Sequence, residues 1–422
     1  VGERVEFDCW NIPLHILFRR AGVWDEIPAE LQEGLTREEG RISLAVGIDC
    51  ATGFFVGFRP GLTESSALVR SVLRDSVSDK SALAIWAGCS TPYIEHSGIE
   101  EGCSDGGPAY YHSLYWSTAV SLCGRYQFAA GGKPWLRGLV ESTFSTIHKG
   151  FISKFCARAF ENIAAKGDYK PMERANLLLT EFLKLLVLYI VDVYHNLPNG
   201  KDKRSPRQRY AALSAKYEPK RPPTADQLRM YFGTTVTRKL GPEGIRFLGI
   251  QYHSNWLAHY RSRRGDEQVM VKVDELDLGA VSALLGDMWV RIPGPAELSG
   301  VPVETWKAMT EELARRYGDE AELDFATYVG PALLRLDAAI KAAENKMGLV
   351  NTIATEEYFQ RFEEQLRIHP VYDKPVEQYS AAPSLSSGTL GKLYGPSNPV
   401  ASQSPAADKA EPGRPRLTSK DY

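Results

Sequence analysis

Alternating apolar and polar positions open the chain. Residues 4–18, RVEFDCWNIPLHILF, are rich in β-formers and read as one extended segment. Two further strand-like runs, RISLAVGID and FFVGFRPG, are joined across Cys50-Ala51-Thr52-Gly53, which is hairpin grammar with Asp49 shaping the turn. ESSALVRSVLRDSVSD then switches to helical spacing. A weakly patterned stretch leads to Asp105, followed by an aromatic helix over 108–123, a short strand over Tyr126–Ala129 and a helix opened by Pro134. The order β-β-β-α-β-α-β-α predicts a mixed five-stranded sheet with helices packed on it.

The most apolar run, LLLTEFLKLLVLYIVDVY (177–194), carries Glu181, Lys184 and Asp192, so it reads as a buried helix and not a membrane span. Beyond it, positive charge gathers: Lys201, Lys203, Arg204, Arg207, Arg209, Lys216, Lys220 and Arg221 stand against Asp202 and Glu218. With its prolines this reads as a basic linker over 201–227 that binds DNA backbone through Lys201, Lys203, Arg204, Arg207 and Arg209, or else as a plain solvated linker. Short alternating runs return over 228–294 and predict a small β-barrel, with Arg261, Arg263 and Arg264 as a second basic patch. Residues 295–369 are helical in pattern, with Trp306 read as packing, and 370–422 read as a disordered Ser/Pro/Ala/Gly tail. Residues 1–200 make the first domain.

A chain of 422 residues implies two or three domains, and a net charge of −2 gives no global pull on nucleic acid, so such binding must be local. Six irregularly spaced cysteines without a CxxC pair argue for reduced thiols and against a zinc module. The chain opens on Val1 without a signal peptide and reads as a fragment lacking an N-terminal part.

Chemistry rests on carboxylates. Asp8 lies within the first strand, where an ionised side chain is out of place unless it faces a site. Asp105 sits on a Gly-Gly-Pro corner where a strand should end, and is either a catalytic carboxylate or the cap of the next helix. Glu141 lies with Arg137, His148 and Lys149 off the apolar face of the Pro134 helix. His148 and Lys149 could touch DNA or form a solvated face, and Arg137 could reach a phosphate or pair with Glu141. Glu100 and Glu101 read as a solvated pair, the first substitutes for Asp105 should it be misplaced. Three carboxylates from a strand, a strand end and a helix can meet at one sheet edge and suit two divalent ions.

Asp8, Asp105 and Glu141, with 35 residues between the last two, resemble the DDE triad of retroviral-integrase-like transposases. SDGGPAYY is similar to that family's corner, KPWLRGLVESTFSTI to its glutamate helix and GIDCATGFFVGF to its second hairpin. TVTRKLGPEGIRFLGIQYHSNWL followed by VMVKVDELDL is similar to the barrel behind the core in the phage Mu transposase group, which includes the TnsB type. Gly106 stands where Asn is common, and residues 19–40 read as an insertion after the first strand.

The resemblance implies an RNase H-like α/β core, a small β-barrel and a helical C-terminal region. It implies a DNA transposase that nicks transposon 3′ ends and transfers them into target DNA, using Asp8, Asp105 and Glu141 as catalytic residues and as ligands of two Mg²⁺ ions, with Mn²⁺ able to substitute. Transposon-end and target DNA, a homo-oligomer on that DNA and an AAA+ ATPase contacted by the tail are the implied partners, with no membrane and a cytoplasmic, nucleoid-associated setting of the bacterial type. The alternatives are a catalytically silent DNA-binding relative and an RNase H-like nuclease that only hydrolyses.

Overall fold

The structure, a computed structural model, describes residues 1–13, 41–61, 64–129, 138–152, 181–199, 202–318, 322–332 and 354–371. Strand β1 (Arg4–Pro13) pairs antiparallel with β2 (Arg41–Asp49), and β2 antiparallel with β3 (Phe55–Gly61). On its other side β1 runs parallel to β4 (Glu101–Ser104), which runs parallel to β5 (Arg125–Phe128). The order β3-β2-β1-β4-β5 is the mixed five-stranded sheet expected of an RNase H-like core. Leu44, Ala45, Val46 and Ile48 of β2 are all buried, so this strand is covered on both faces.

Helix α1 (Ser66–Ser76) is capped by Ser65, whose Oγ accepts from Leu68 N at 3.2 Å, and it lays Leu68, Val69, Val72 and Leu73 on the sheet. Gly57 permits that approach, because a Cβ there would stand 2.9 Å from the Val72 carbonyl oxygen. In the hairpin turn, Asp49 is fully buried and accepts from Thr52 N at 3.1 Å, Thr52 Oγ1 at 2.6 Å and Gly2 N at 2.8 Å, the turn-shaping role its sequence position suggested. α2 (Ser81–Ala87), α3 (Pro108–Tyr111), α4 (Ser113–Leu122) and α5 (Gly138–Ile147) follow, α5 continuing as a π turn over His148–Ile152. α6 (181–188) and its π turn Tyr189–Tyr194 bury Phe182, Leu186, Ile190 and Val191 in this core. Among the described residues no helix is long and apolar enough to cross a membrane. The described cysteines, Cys9, Cys50, Cys89, Cys103 and Cys123, are free thiols.

The segment expected as an open basic linker contains two capped helices, α7 (Pro206–Lys216) and α8 (Ala225–Phe232). Ser205 and Gln208 close a capping box around Pro206, and Thr224 and Gln227 close another. Next comes a six-stranded sheet in the order β11-β10-β9-β6-β7-β8, built from β6 (Thr234–Gly241), β7 (Gly244–Phe247), β8 (Ile250–Tyr252), β9 (Gln268–Asp274), β10 (Asp277–Leu285) and β11 (Met288–Pro293). Its terminal strands approach where His253 N donates to the Pro293 carbonyl at 3.2 Å, giving a curled sheet around one core. A helix, α9 (Asn255–Arg264), is inserted between β8 and β9. α10 (Val303–Tyr317) and α11 (Glu356–Gln365) pack into the same core, where Trp306 is fully buried and its Nε1 donates to the Leu248 carbonyl at 2.9 Å. A two-stranded parallel sheet, β12 (Glu322–Asp324) with β13 (His369–Val371), completes this half.

The two halves meet at α1. Arg70 donates to Thr118 Oγ1 at 3.0 Å and to the Phe232 carbonyl at 2.6 Å, tying α1 to α4 and α8. One turn on, Arg74 forms a bidentate pair with Asp274 of β9, both contacts at 2.7 Å.

Candidate active site

The parallel ladder between β1 and β4 ends with Phe7 opposite Ser104. One residue further along, Asp8 stands within β1 and Asp105 just past β4, so the register that pairs the strands brings both aspartates to the same end of the sheet. On its other side Asp8 is held opposite Val46 of β2. Residues 101–104 lack an apolar pattern yet form a buried strand. Gly102 lies under the Tyr126 ring, where a Cβ would come within 2.5 Å of Cδ2, so strand and ring meet only because that position carries no side chain.

Asp105 does not cap the next helix. Gly107 holds that position, and Asp105 Oδ1 accepts from Gly107 N at 3.0 Å, closing the corner on itself. A carboxylate absent from the sequence-based reading joins this corner. Glu64, just before α1, places Oε1 3.2 Å from where a Cβ on Gly107 would lie, and Asp105 Oδ1 is 3.1 Å from that same point. Burial, then the Asp105 carboxylate, raises the Glu64 carboxyl above its ordinary range. The Cys9 thiol is pushed well up by burial and by Glu64, with Asp8 and Asp105 adding to it and a hydrogen bond from Tyr110 opposing. Only its place between β3 and α1 could have flagged Glu64, and that signal is weak.

Glu141 is exposed on the first turn of α5. One turn beyond it, Phe144 stacks on Trp10 with ring centroids 5.4 Å apart, and His148 meets the same indole edge-on at 6.2 Å. Trp10 and Asp8 are two apart on β1 and share a face, so this contact docks the glutamate helix on the flank of the sheet that Asp8 faces. Among the described residues no three His, Cys, Asp or Glu side chains already close on one point as a metal cage. The two aspartates are thus at the same end of the sheet, and the helix that carries Glu141 is docked on β1 through Trp10. Oxygen donors of one charge, gathered at a strand end and raising a neighbouring carboxyl, suit a hard divalent cation.

The basic residues divide. Lys203, Arg204, Arg263 and Arg264 are exposed, as are His148 and Lys149 beyond Glu141. Arg207 is turned inward onto Glu95 and donates to the Pro92 carbonyl at 2.9 Å. Arg209 is held by Asn199 Oδ1 at 2.6 Å and by Asp202, and Arg261 by Asp266 at 2.7 Å. These three guanidiniums, expected on DNA, are engaged within the protein. Glu101 is likewise spoken for, between Arg4 at 3.6 Å and Arg125 at 3.5 Å. Pro134, Arg137, Lys201, the 19–40 insertion and residues 372–422 of the tail lie outside the described residues.

Two family models match the chain. The TnsB C-terminal domain matches residues 29–155, a span holding Asp105 and Glu141 but beginning after Asp8, and the Mu transposase C-terminal domain matches residues 229–288. No curated protein matches. Among solved structures, the chain is similar to the HTLV-2 integrase catalytic core domain in complex with magnesium, at 12% identity over 50% of this chain and 96% of that one, with a TM-score of 0.27. It is also similar to a chain of the simian T-cell lymphotropic virus intasome in complex with a PP2A regulatory subunit, at 15% identity over 72% and 79% with a TM-score of 0.29, and to the BIV integrase core, at 12% over 51% and 98% with a TM-score of 0.25. Structural likenesses this distant decide nothing about the site. The two family matches fall in the order that the motifs predict, the core motif first and the barrel behind it, and together they support a place for these segments in the DDE transposase/integrase superfamily.

Proposed function

We propose that this chain carries the catalytic centre of a DNA transposase, which nicks transposon 3′ ends and joins them to target DNA at Asp8, Asp105 and Glu141. The observation that supports this reading is the β1–β4 register, which brings Asp8 and Asp105 to the same end of the sheet, where the ladder stops.

In the first step, a water oxygen attacks the phosphorus at the transposon end, the P–O3′ bond breaks and a 3′-hydroxyl is left. In the second, that hydroxyl attacks a target phosphodiester, a new P–O bond forms and the target's own 3′-oxygen leaves with a proton. Asp8, Asp105 and Glu141 would hold Mg²⁺ or Mn²⁺, which when bound lowers the cost of charge on the attacking and leaving oxygens. The chain's own contribution is placement: two buried strands fix the aspartates, and the Trp10–Phe144 stack fixes the helix of the glutamate. Lys149 offers positive charge and His148 a hydrogen-bonding ring beyond Glu141 for the phosphate backbone. Action on paired ends further implies a homo-oligomer on DNA. The AAA+ contact expected of the tail falls on residues 372–422, which lie outside the described residues.

The test is strand transfer of pre-cleaved end DNA by the full-length protein and its Glu141→Gln form. The parent should yield joined strands and the variant lose on the order of 10³-fold, the scale of removing one group that stabilises transition-state charge. Binding without joining in both proteins would leave a silent DNA-binding relative, and cut but never joined strands would leave a nuclease.

A further inference from the structure

The corner that holds Asp105 is flanked by rings that the carboxylate chemistry does not use. Tyr111, at the end of α3, is 61% exposed, and its hydroxyl lies 3.0 Å from the Cβ position of Gly106, the residue after Asp105. Its ring packs on Phe128 of β5 with centroids 4.4 Å apart, and Trp116, 39% exposed, stacks on the other side of the group with its centroid 5.1 Å from Phe128. β5 is in register with β4, Phe128 opposite Ser104, so these rings continue the same sheet end along which Asp8 and Asp105 lie. From Ser113 to Cys123 the chain carries no charged residue, and Arg125, the cation on the strand of Phe128, is paired with Glu101 at 3.5 Å, so rings and not charge dominate this surface.

We infer that Tyr111, backed by Phe128 and Trp116, is a positioning residue that stacks on an unpaired base of the substrate DNA beside the reacting phosphate. Stacking needs no charge and tolerates every base, because each has a π face. A base inside a duplex has both faces covered, so the ring can take only a terminal or extruded one. That fits a centre whose substrate is a strand end, and the inference rests on the proposed function in that respect. Holding the base beside Asp105 fixes the end nucleotide without a contact to the reacting atoms.

The experiment compares the parent protein with Tyr111→Ala and Tyr111→Phe in strand transfer. It uses pre-cleaved end DNA carrying 2-aminopurine at the terminal positions and reads KM, kcat and fluorescence in the bound complex. Tyr111→Ala should raise KM roughly 10-fold and relieve the quenching of the stacked fluorophore, while Tyr111→Phe keeps both near the parent. Tyr111 is exposed, and a melting curve for each variant checks that the fold is kept. If the parent joins strands and Tyr111→Ala matches it in KM and quenching, this inference falls and the proposed function stands. If Tyr111→Ala alters only the oligomeric state, the rings serve a protein contact and the inference falls as well. A parent that joins nothing condemns the proposed function itself, and quenching that is still lost in Tyr111→Ala would leave the stacking contact standing without it.

Discussion

Two clusters of charge sit at the two ends of α1 and treat charge in opposite ways. At the joint between the halves, Arg74 meets Asp274 in a bidentate pair with side chains 15% and 3% exposed, so opposite charges are matched atom for atom. At the sheet end, Glu64 and Asp105 bring like charge together, and burial, with the Asp105 carboxylate second, raises the Glu64 carboxyl. Charge that holds a structure is matched, whereas charge gathered with its own sign is a cost to the fold and needs another reason to persist.

The largest expected effect separates the two clusters directly. Asp274→Ala leaves a buried guanidinium without its carboxylate and should cost about 3–5 kcal/mol in urea unfolding. Asp105→Asn removes one of several like charges and should change stability by no more than about 0.5 kcal/mol, or raise it. Equal losses in the two variants would mean that the sheet end is structural too, and the comparison would collapse.

Much of this was legible beforehand, for a physical reason. Runs of β-forming residues joined by a hairpin turn set out β1 to β3, alternation set out the curled second sheet, and the Asp-Gly-Gly-Pro corner marked where β4 stops. The path into that corner was not legible, because β4 is buried by its neighbours and not by its own composition: Gly102 is covered by Tyr126, a residue of another strand. A count of charges over 201–227 suggested an open basic linker and hid the Ser205–Gln208 capping box, a local signal that could have been read. It also could not show that Arg207 turns back onto Glu95, since that pairing joins positions 112 residues apart. Glu64 was missed on the same ground, for its neighbour Asp105 is close only in the fold.

A third treatment of charge is exclusion, and it sharpens the contrast at intermediate magnitude. His195 is fully buried against Phe54, with ring centroids 3.7 Å apart, and its Nε2 accepts from Phe55 N at 3.2 Å. Burial first, then Arg207 and Lys80, hold its pKa well below the usual 6.5. As pH falls below 6.5 the unfolded chain takes up a proton that the folded one refuses, so stability is complete above that value and is lost on acidification. The slope approaches about 1.4 kcal/mol per pH unit. Melting curves between pH 7.5 and 5, on the order of the range where histidine titrates, should show His195→Gln without this share of the slope. An identical slope in the variant would assign the acid loss to other groups.

The smallest effect concerns the basic residues, where the same rule of matched and unmatched charge predicts which of them reach DNA. Lys203 and Arg204 are exposed, whereas Arg207 and Arg209 are engaged by Glu95 and Asp202. Each phosphate neutralised contributes about 0.9 to the slope of log affinity against log salt. The paired variant Lys203→Gln with Arg204→Gln should therefore flatten that slope by up to about 2, one for each residue, and leave the melting temperature alone. Arg207→Gln should do the reverse, lowering the melting temperature and keeping the slope, because its loss is felt by Glu95 and the Pro92 carbonyl. If Arg207→Gln instead flattens the slope, its inward pair opens on DNA, and matched charge in this protein is a reserve that binding can draw on.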